Sequence, residues 1–427
     1  MSYWTNCTLT RHLACRVAAV LLSIWFGVSA ACNENSPAPT AKSERSAPAI
    51  RPVRVQIASR ADEIRLRVDG GYTVVGPNAR STNHEAQQKW TTVTATSSGT
   101  LRFGDDLLQT RRVFIVPRVN GTIRVALSRN GEWMPTARYF GSFSLRAHDE
   151  GQVEVINNVD IESYVACVVA REVSPVFHDE AYRAQAIVAR TYALYQMHRR
   201  KDEPYDVSAD ESSQVYIGIT AGRTGQRAWL AAEYTRGIVC TFRQRGLDRL
   251  FPTYYHAACG GVTQSEAAFR QADAVEPLAG GVECDYCKIA PGQAYRWGPT
   301  SIPVDDVAKR LRARYDFLAD LRRIVAIEVS GRHAGGRPLR LRLRDSAGAS
   351  FEIQAERFRL AVGADVMPSA YCDISVDSDA VSLRNGKGFG HGVGLCQWGM
   401  QGQALSGRRA ADILRYYYPG SKLTRAY

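Results

Sequence analysis

Apolar and polar residues alternate at Val53, Val55 and Ile57, again at Ile64, Leu66 and Val68, and again at Ile123, Val125 and Leu127. A period of two puts one row of side chains in a core and the other in water, so this stretch is predicted to form β-strands. Asp69-Gly70-Gly71, Asn130-Gly131 and Asp149-Glu150-Gly151 supply turns between them. The alternation resumes at Val153-Glu154-Val155, and then the period changes. From Asp160 to Glu172 the apolar residues fall at 161, 164, 165, 168 and 169, which is helical spacing, with Asp160 placed to cap the helix. Val173-Ser174-Pro175 must end it, because a residue before proline is pushed out of the α region. A second helix is predicted over 179–199, capped by Asp179 and closed by a basic run at 198–201. Helices near 304–315, 356–362 and 410–418, with a small antiparallel sheet from 324–329, 339–343 and 351–353, complete an α+β fold.

One stretch fits neither period. Gly386, Gly388, Gly390, Gly392 and Gly394 occupy every second position around His391, and a helical pattern starts at Leu395 with Gln397 and Trp398 in its first turn. Alternate glycines remove a row of side chains, so another backbone or an extended ligand can approach closely. The spacing is neither GxGxxG nor a GK[ST] loop, which argues against phosphate binding.

The ends change the picture more than the bulk composition does. Arg11 and Arg16 precede an apolar run from Val17 to Val28 that ends in Ser29-Ala30-Ala31-Cys32, as an export signal does. Cleavage beside Cys32 would suit a lipoprotein anchored to a membrane, although Ser29 stands where such sites carry Leu or Val. Lipid attachment and free secretion both stay open. Residues 1–31 are thus expected to be a signal, 32–50 a flexible linker rich in Ser, Pro, Ala and Asn, 51–109 a β-rich region, and 110–425 the main domain. The expected place of work is the periplasm or cell envelope. A formal charge of +12 suits anionic lipid headgroups or wall polymers, and no basic stretch is interleaved with aromatics as a nucleic-acid groove would be.

Glu172 lies at a helix C-terminus beside an apolar face, where the helix dipole disfavours a carboxylate. A raised pKa there would suit a general acid. Arg190, set among apolar neighbours on the second helix, calls for a carboxylate partner, and Glu172 is the candidate.

Glu172 in YVACVVAREVSP, Arg190 in AQAIVARTYAL, Gln214 and Tyr216 in SSQVYIG, then YYHAACGGVTQ and GFGHGVGLCQWGMQGQA together resemble the successive motifs of the SpoIID/LytB family, the sporulation D proteins and amidase enhancers. The resemblance covers roughly 110–425. It implies a bacterial cell-wall role, with a lytic transglycosylase acting on peptidoglycan strands stripped of stem peptides. Glu172 would be its acid/base and Arg190 a residue needed for activity. A non-catalytic enhancer that binds glycan and serves a partner wall amidase is the alternative. Gln214, Tyr216, His391, Gln397 and Trp398 are expected to bind substrate. Cys396 and Trp398 depart from the family's usual small or hydroxyl residue and Tyr.

His256-x2-Cys259 and Cys284-x2-Cys287 have the spacing of two ligand pairs, so His256, Cys259, Cys284 and Cys287 are expected to hold a structural zinc. Disulfides are the competing reading for an exported protein, with Cys240–Cys372 and Cys372–Cys396 as further pairings. Cys396 with His391 as a thiol hydrolase pair is a rival active site.

Overall fold

The structure is a computed structural model and describes residues 50–427, except 77–80, 87–88, 119–120, 269–273 and 334. The expected signal, Cys32 and nearly all of the linker therefore lie outside the described residues. Among those described, no helix is long and apolar enough to cross a membrane.

The alternating N-terminal stretch forms two antiparallel sheets. One runs in the order 53–61, 153–159, 142–147, 112–117, 72–75 and 81–84, with the short strand Val207–Ser208 added in parallel outside Val53–Ala61. The other runs 132–133, 122–129, 63–69, 91–95, 101–103 and 106–108, with 137–139 also on 122–129. Strands from both sides of residue 110 share each sheet.

Among the described residues seven α-helices follow: α1 (Ile161–Glu172), α2 (Asp179–Arg199), α3 (Gly222–Tyr234), α4 (Val304–Arg314), α5 (Ala355–Val362), α6 (Gln397–Leu405) and α7 (Ala410–Tyr417). The α1 cap is as expected, since the Asp160 carboxylate accepts from the Glu162 and Ser163 N–H groups. At α2 the cap is His178, not Asp179: its Nδ1 accepts from Glu180 N–H, which leaves Asp179 free to bind Arg227. Helix α3 was not foreseen. Its Gly222 and Gly225 weaken the helical signal, but burial of Ala228, Ala231 and Ala232 lets it pack closely against α1 and α2.

One core joins the sheets to α1, α2, α6 and α7, and a second lies wholly between Trp297 and Leu383. That second unit carries the expected sheet 324–332, 338–345 and 350–354. Its entry and exit are paired, Arg296 with Lys387 and Trp297 with Gly386. It leaves the chain just after Cys287 and returns it at the glycine stretch.

Candidate active site

Helix α1 is buried along Ile161–Ala170 and brings Glu172 to its last position, half-buried. The Val215 N–H donates to Glu172 Oε1 at 2.9 Å, and the Tyr255 hydroxyl bonds the same carboxyl group. Behind Tyr255 stands Gln214, whose Nε2 donates to the Tyr255 hydroxyl at 3.4 Å while its Oε1 accepts from Tyr164 at 3.1 Å. Gln397 Nε2 donates to the Glu172 carbonyl oxygen at 3.1 Å. Burial pushes the Glu172 carboxyl up, the Val215 and Tyr255 donors oppose this, and the nearby Glu211 carboxylate adds to the rise; the net shift is upward. That is the direction a general acid needs.

The Arg190–Glu172 pairing is not found. Arg190 is fully buried and grips Glu162, with Nε donating to Oε1 at 3.0 Å and Nη2 to Oε2. Its remaining donors go to the Thr235 hydroxyl and to the carbonyls of Ile238 and Ala232. All five N–H groups are thus used, and the guanidinium ties α1 to α3 rather than facing a reacting atom. Glu162 and Glu172 sit ten residues apart on α1, about 15 Å along the axis. The Glu162 carboxyl is pushed up by burial, but Arg190, Tyr427 and the Gly237 N–H outweigh this and hold it low.

The expected substrate contacts divide. Gln214 and Tyr216 are each 1% exposed, and Tyr216 donates to Asn157 Oδ1 in the core, so both support the site from behind. Trp398 is buried and packs edge-on against Phe177, with ring centres 4.8 Å apart. His391 is only half-buried; its Nδ1 accepts from the Val393 N–H, and burial pushes its pKa down to about 4.

The glycine stretch faces protein, not ligand. A side chain at Gly386 would strike the Trp297 ring, at Gly388 the Ala258 carbonyl, at Gly392 the Arg337 guanidinium and at Gly394 the Tyr254 carbonyl. From Gly388 to Gly394 the alternate glycines also hold positive φ. The absent row of side chains lets 386–394 lie against 254–260 and the neck of the second unit.

The candidate metal site differs from the expected set by one residue. Cys259, Cys284, Cys287 and Cys396 are all buried, with their sulfurs within 4.8 Å of one another. His256 is not in this cluster, where Cys396 takes the expected fourth place; the His256 Nδ1 lies 3.0 Å from the Val393 carbonyl oxygen. Residues 255–256 pair in parallel with 395–396, and this brings Cys396 beside the two Cys pairs. Cys396 also accepts from the Cys259 and Gly399 N–H groups, both at 3.3 Å. A tetrahedral Zn–S bond of about 2.3 Å gives S···S near 3.8 Å, which this spacing accommodates. All seven described cysteines are free, including Cys240 and Cys372. Cys396 is enclosed by the other three thiols and burial pushes its pKa well up, while the His391 Nδ1 accepts from the Val393 N–H.

Sequence reasoning missed Tyr255, Glu211, Glu162 and the place of Cys396 in the thiol cluster. The adjacent motif YYHAACGG contained Tyr255, but only folding shows which tyrosine meets Glu172.

Residues 149–242, which hold Glu172, Arg190 and Gln214, match the SpoIID family model, described as Stage II sporulation protein. Over that segment the chain is similar to the SpoIID family. It is 29% identical over 295 residues to an uncharacterized protein of Brachyspira hyodysenteriae, covering 69% of this chain and 74% of that one. It is 23% identical to the Stage II sporulation protein D of Bacillus subtilis, covering 64% and 76%. With the Amidase enhancer of the same organism it shares 22% identity, covering 60% of this chain but 40% of the enhancer.

Proposed function

We propose that this protein works on the bacterial cell wall outside the cytoplasm and cleaves peptidoglycan glycan strands as a lytic transglycosylase. The observation that carries the reading is Glu172: a carboxyl with a raised pKa, held by Val215 N–H and Tyr255, in the segment that matches the family. Protonated Glu172 gives its proton to the glycosidic oxygen as the C1–O bond breaks. The muramic acid 6-hydroxyl then attacks C1, closing a 1,6-anhydro ring, and its proton returns to Glu172. The reaction balances without water and without a second nucleophilic carboxylate. Digestion of stripped strands should release 1,6-anhydro-muramic ends; reducing ends would mean hydrolysis instead, with Glu211 the first carboxylate to suspect.

The four cysteines fit zinc as a structural cross-link. Bound there, the ion would join the 259 loop, the 284–287 turn and the start of α6, which carries Gln397 to the Glu172 carbonyl. Held by four thiolates, it would keep no open position for bond cleavage.

The similarity to a protein named Amidase enhancer supports a second reading, a glycan-binding partner of a wall amidase. It predicts stimulation of an added amidase that Glu172→Gln leaves intact.

A further inference from the structure

The strand Glu63–Asp69 has one row of side chains in the core and the other directed away from it, over Thr122, Ala126 and Ser128 of the neighbouring strand. Ile64, Leu66 and Val68 point inward, and Arg65 and Arg67 point outward. Each outward arginine has a tryptophan beside it. The Arg65 guanidinium lies 4.1 Å from the centre of the Trp133 ring and that of Arg67 5.6 Å from Trp90. Both tryptophans are 40% exposed, unlike Trp297 and Trp398, which are buried.

Charge on this face is one-sided. Arg124 and Arg138 lie opposite each other on neighbouring strands and share Asp69, and Arg102 extends the row beyond Thr94. Glu63 bonds Arg65 at 3.0 Å. Five arginines thus stand against two acids, and Arg67 has no carboxylate partner among the described residues.

We infer that this face is a second binding surface, separate from Glu172, for a carboxylate-bearing glycan strand. The two flat indoles stack on the C–H faces of sugar rings, and the arginines between them take the carboxylates by paired N–H···O bonds. Trp–Arg contacts keep the guanidinium planes oriented before any ligand arrives. That the strand is peptidoglycan rests on the proposed function; that it is an anionic glycan rests on the sheet face alone.

The test is binding, not cleavage, so it stands even if the proposed reaction fails. Full-length protein carrying Glu172→Gln would be titrated with stem-peptide-free glycan strands, with chitin oligomers, which have the rings without the carboxylates, and with a phosphate-linked wall polymer. The stripped strands should bind best, with affinity falling as salt rises. Trp90→Ala with Trp133→Ala should weaken strand binding at least tenfold and chitin binding as well. Arg65→Gln with Arg67→Gln should reduce strand binding to the level of chitin. Melting temperatures near that of the parent would show that these surface changes leave the fold intact. Binding within twofold of the parent for both double variants would overturn the inference. So would a preference of the parent for the phosphate polymer or for chitin over the stripped strands.

Discussion

At the scale of residues, Glu172 and Glu162 stand on one helix and are shifted in opposite directions. Burial raises Glu172, so the folded chain holds its proton to higher pH than the unfolded chain does. The resulting cost to stability is absent below the unfolded value of about 4 and grows as the pH rises through the folded value. Glu172→Gln should therefore raise Tm by a few degrees at pH 7 and leave it unchanged at pH 3.5; a lower Tm at pH 7 would count against a carboxyl raised by burial. Cleavage by the unmodified protein should decline as the pH rises through that same raised value, because the acid is then lost. Glu162 is held low, so its pairing with Arg190 stabilises at neutral pH and is lost as the pH falls through its folded value. Arg190→Ala leaves the buried Glu162 carboxylate without its counter-charge, with only Tyr427 and the Gly237 N–H bonded to it, and should cost about 3–5 kcal/mol in urea unfolding at pH 7. A variant that kept its stability but lost cleavage would instead return Arg190 to the chemistry.

At the scale of elements, periodicity made much of the fold legible. The spans of α1 and α2, the outward arginines of 338–345 and the cap at Asp160 all follow from local spacing and side-chain chemistry. What spacing could not supply was the partner of each element. Arg190 visibly needed a carboxylate, but Glu162 and Glu172 lie on the same helix, and only the approach of α3 decides between them. The alternate glycines visibly needed a close neighbour; that neighbour is the chain's own 254–260 segment. Gly394→Ala would set a methyl group 2.1 Å from the Tyr254 carbonyl oxygen and should abolish soluble folding. Gly348→Ala has a similar left-handed φ of +82° but nothing within 4 Å, and should cost only about 1–2 kcal/mol by thermal melting. Equal losses at the two sites would contradict a seam built on close backbone approach.

At the scale of the whole molecule, residues far apart in sequence converge on one supporting centre. Cys259, Cys284 and Cys287 were recognisable as candidate ligands from their spacing; Cys396 was not, because its place beside them depends on parallel pairing across 140 residues of chain, His256 with Cys396. The purified protein should carry about one zinc per chain. Cys396→Ser should lose much of it and His256→Ala should not, and the reverse pattern in metal analysis would restore His256 as the ligand. The central claim concerns Glu172, and one measurement meets it directly: mass spectrometry of stripped glycan strands after incubation with the protein and with Glu172→Gln. The account predicts 1,6-anhydro-muramic ends from the first and uncut strands from the second, with both proteins equally folded. Anhydro ends from both would contradict it.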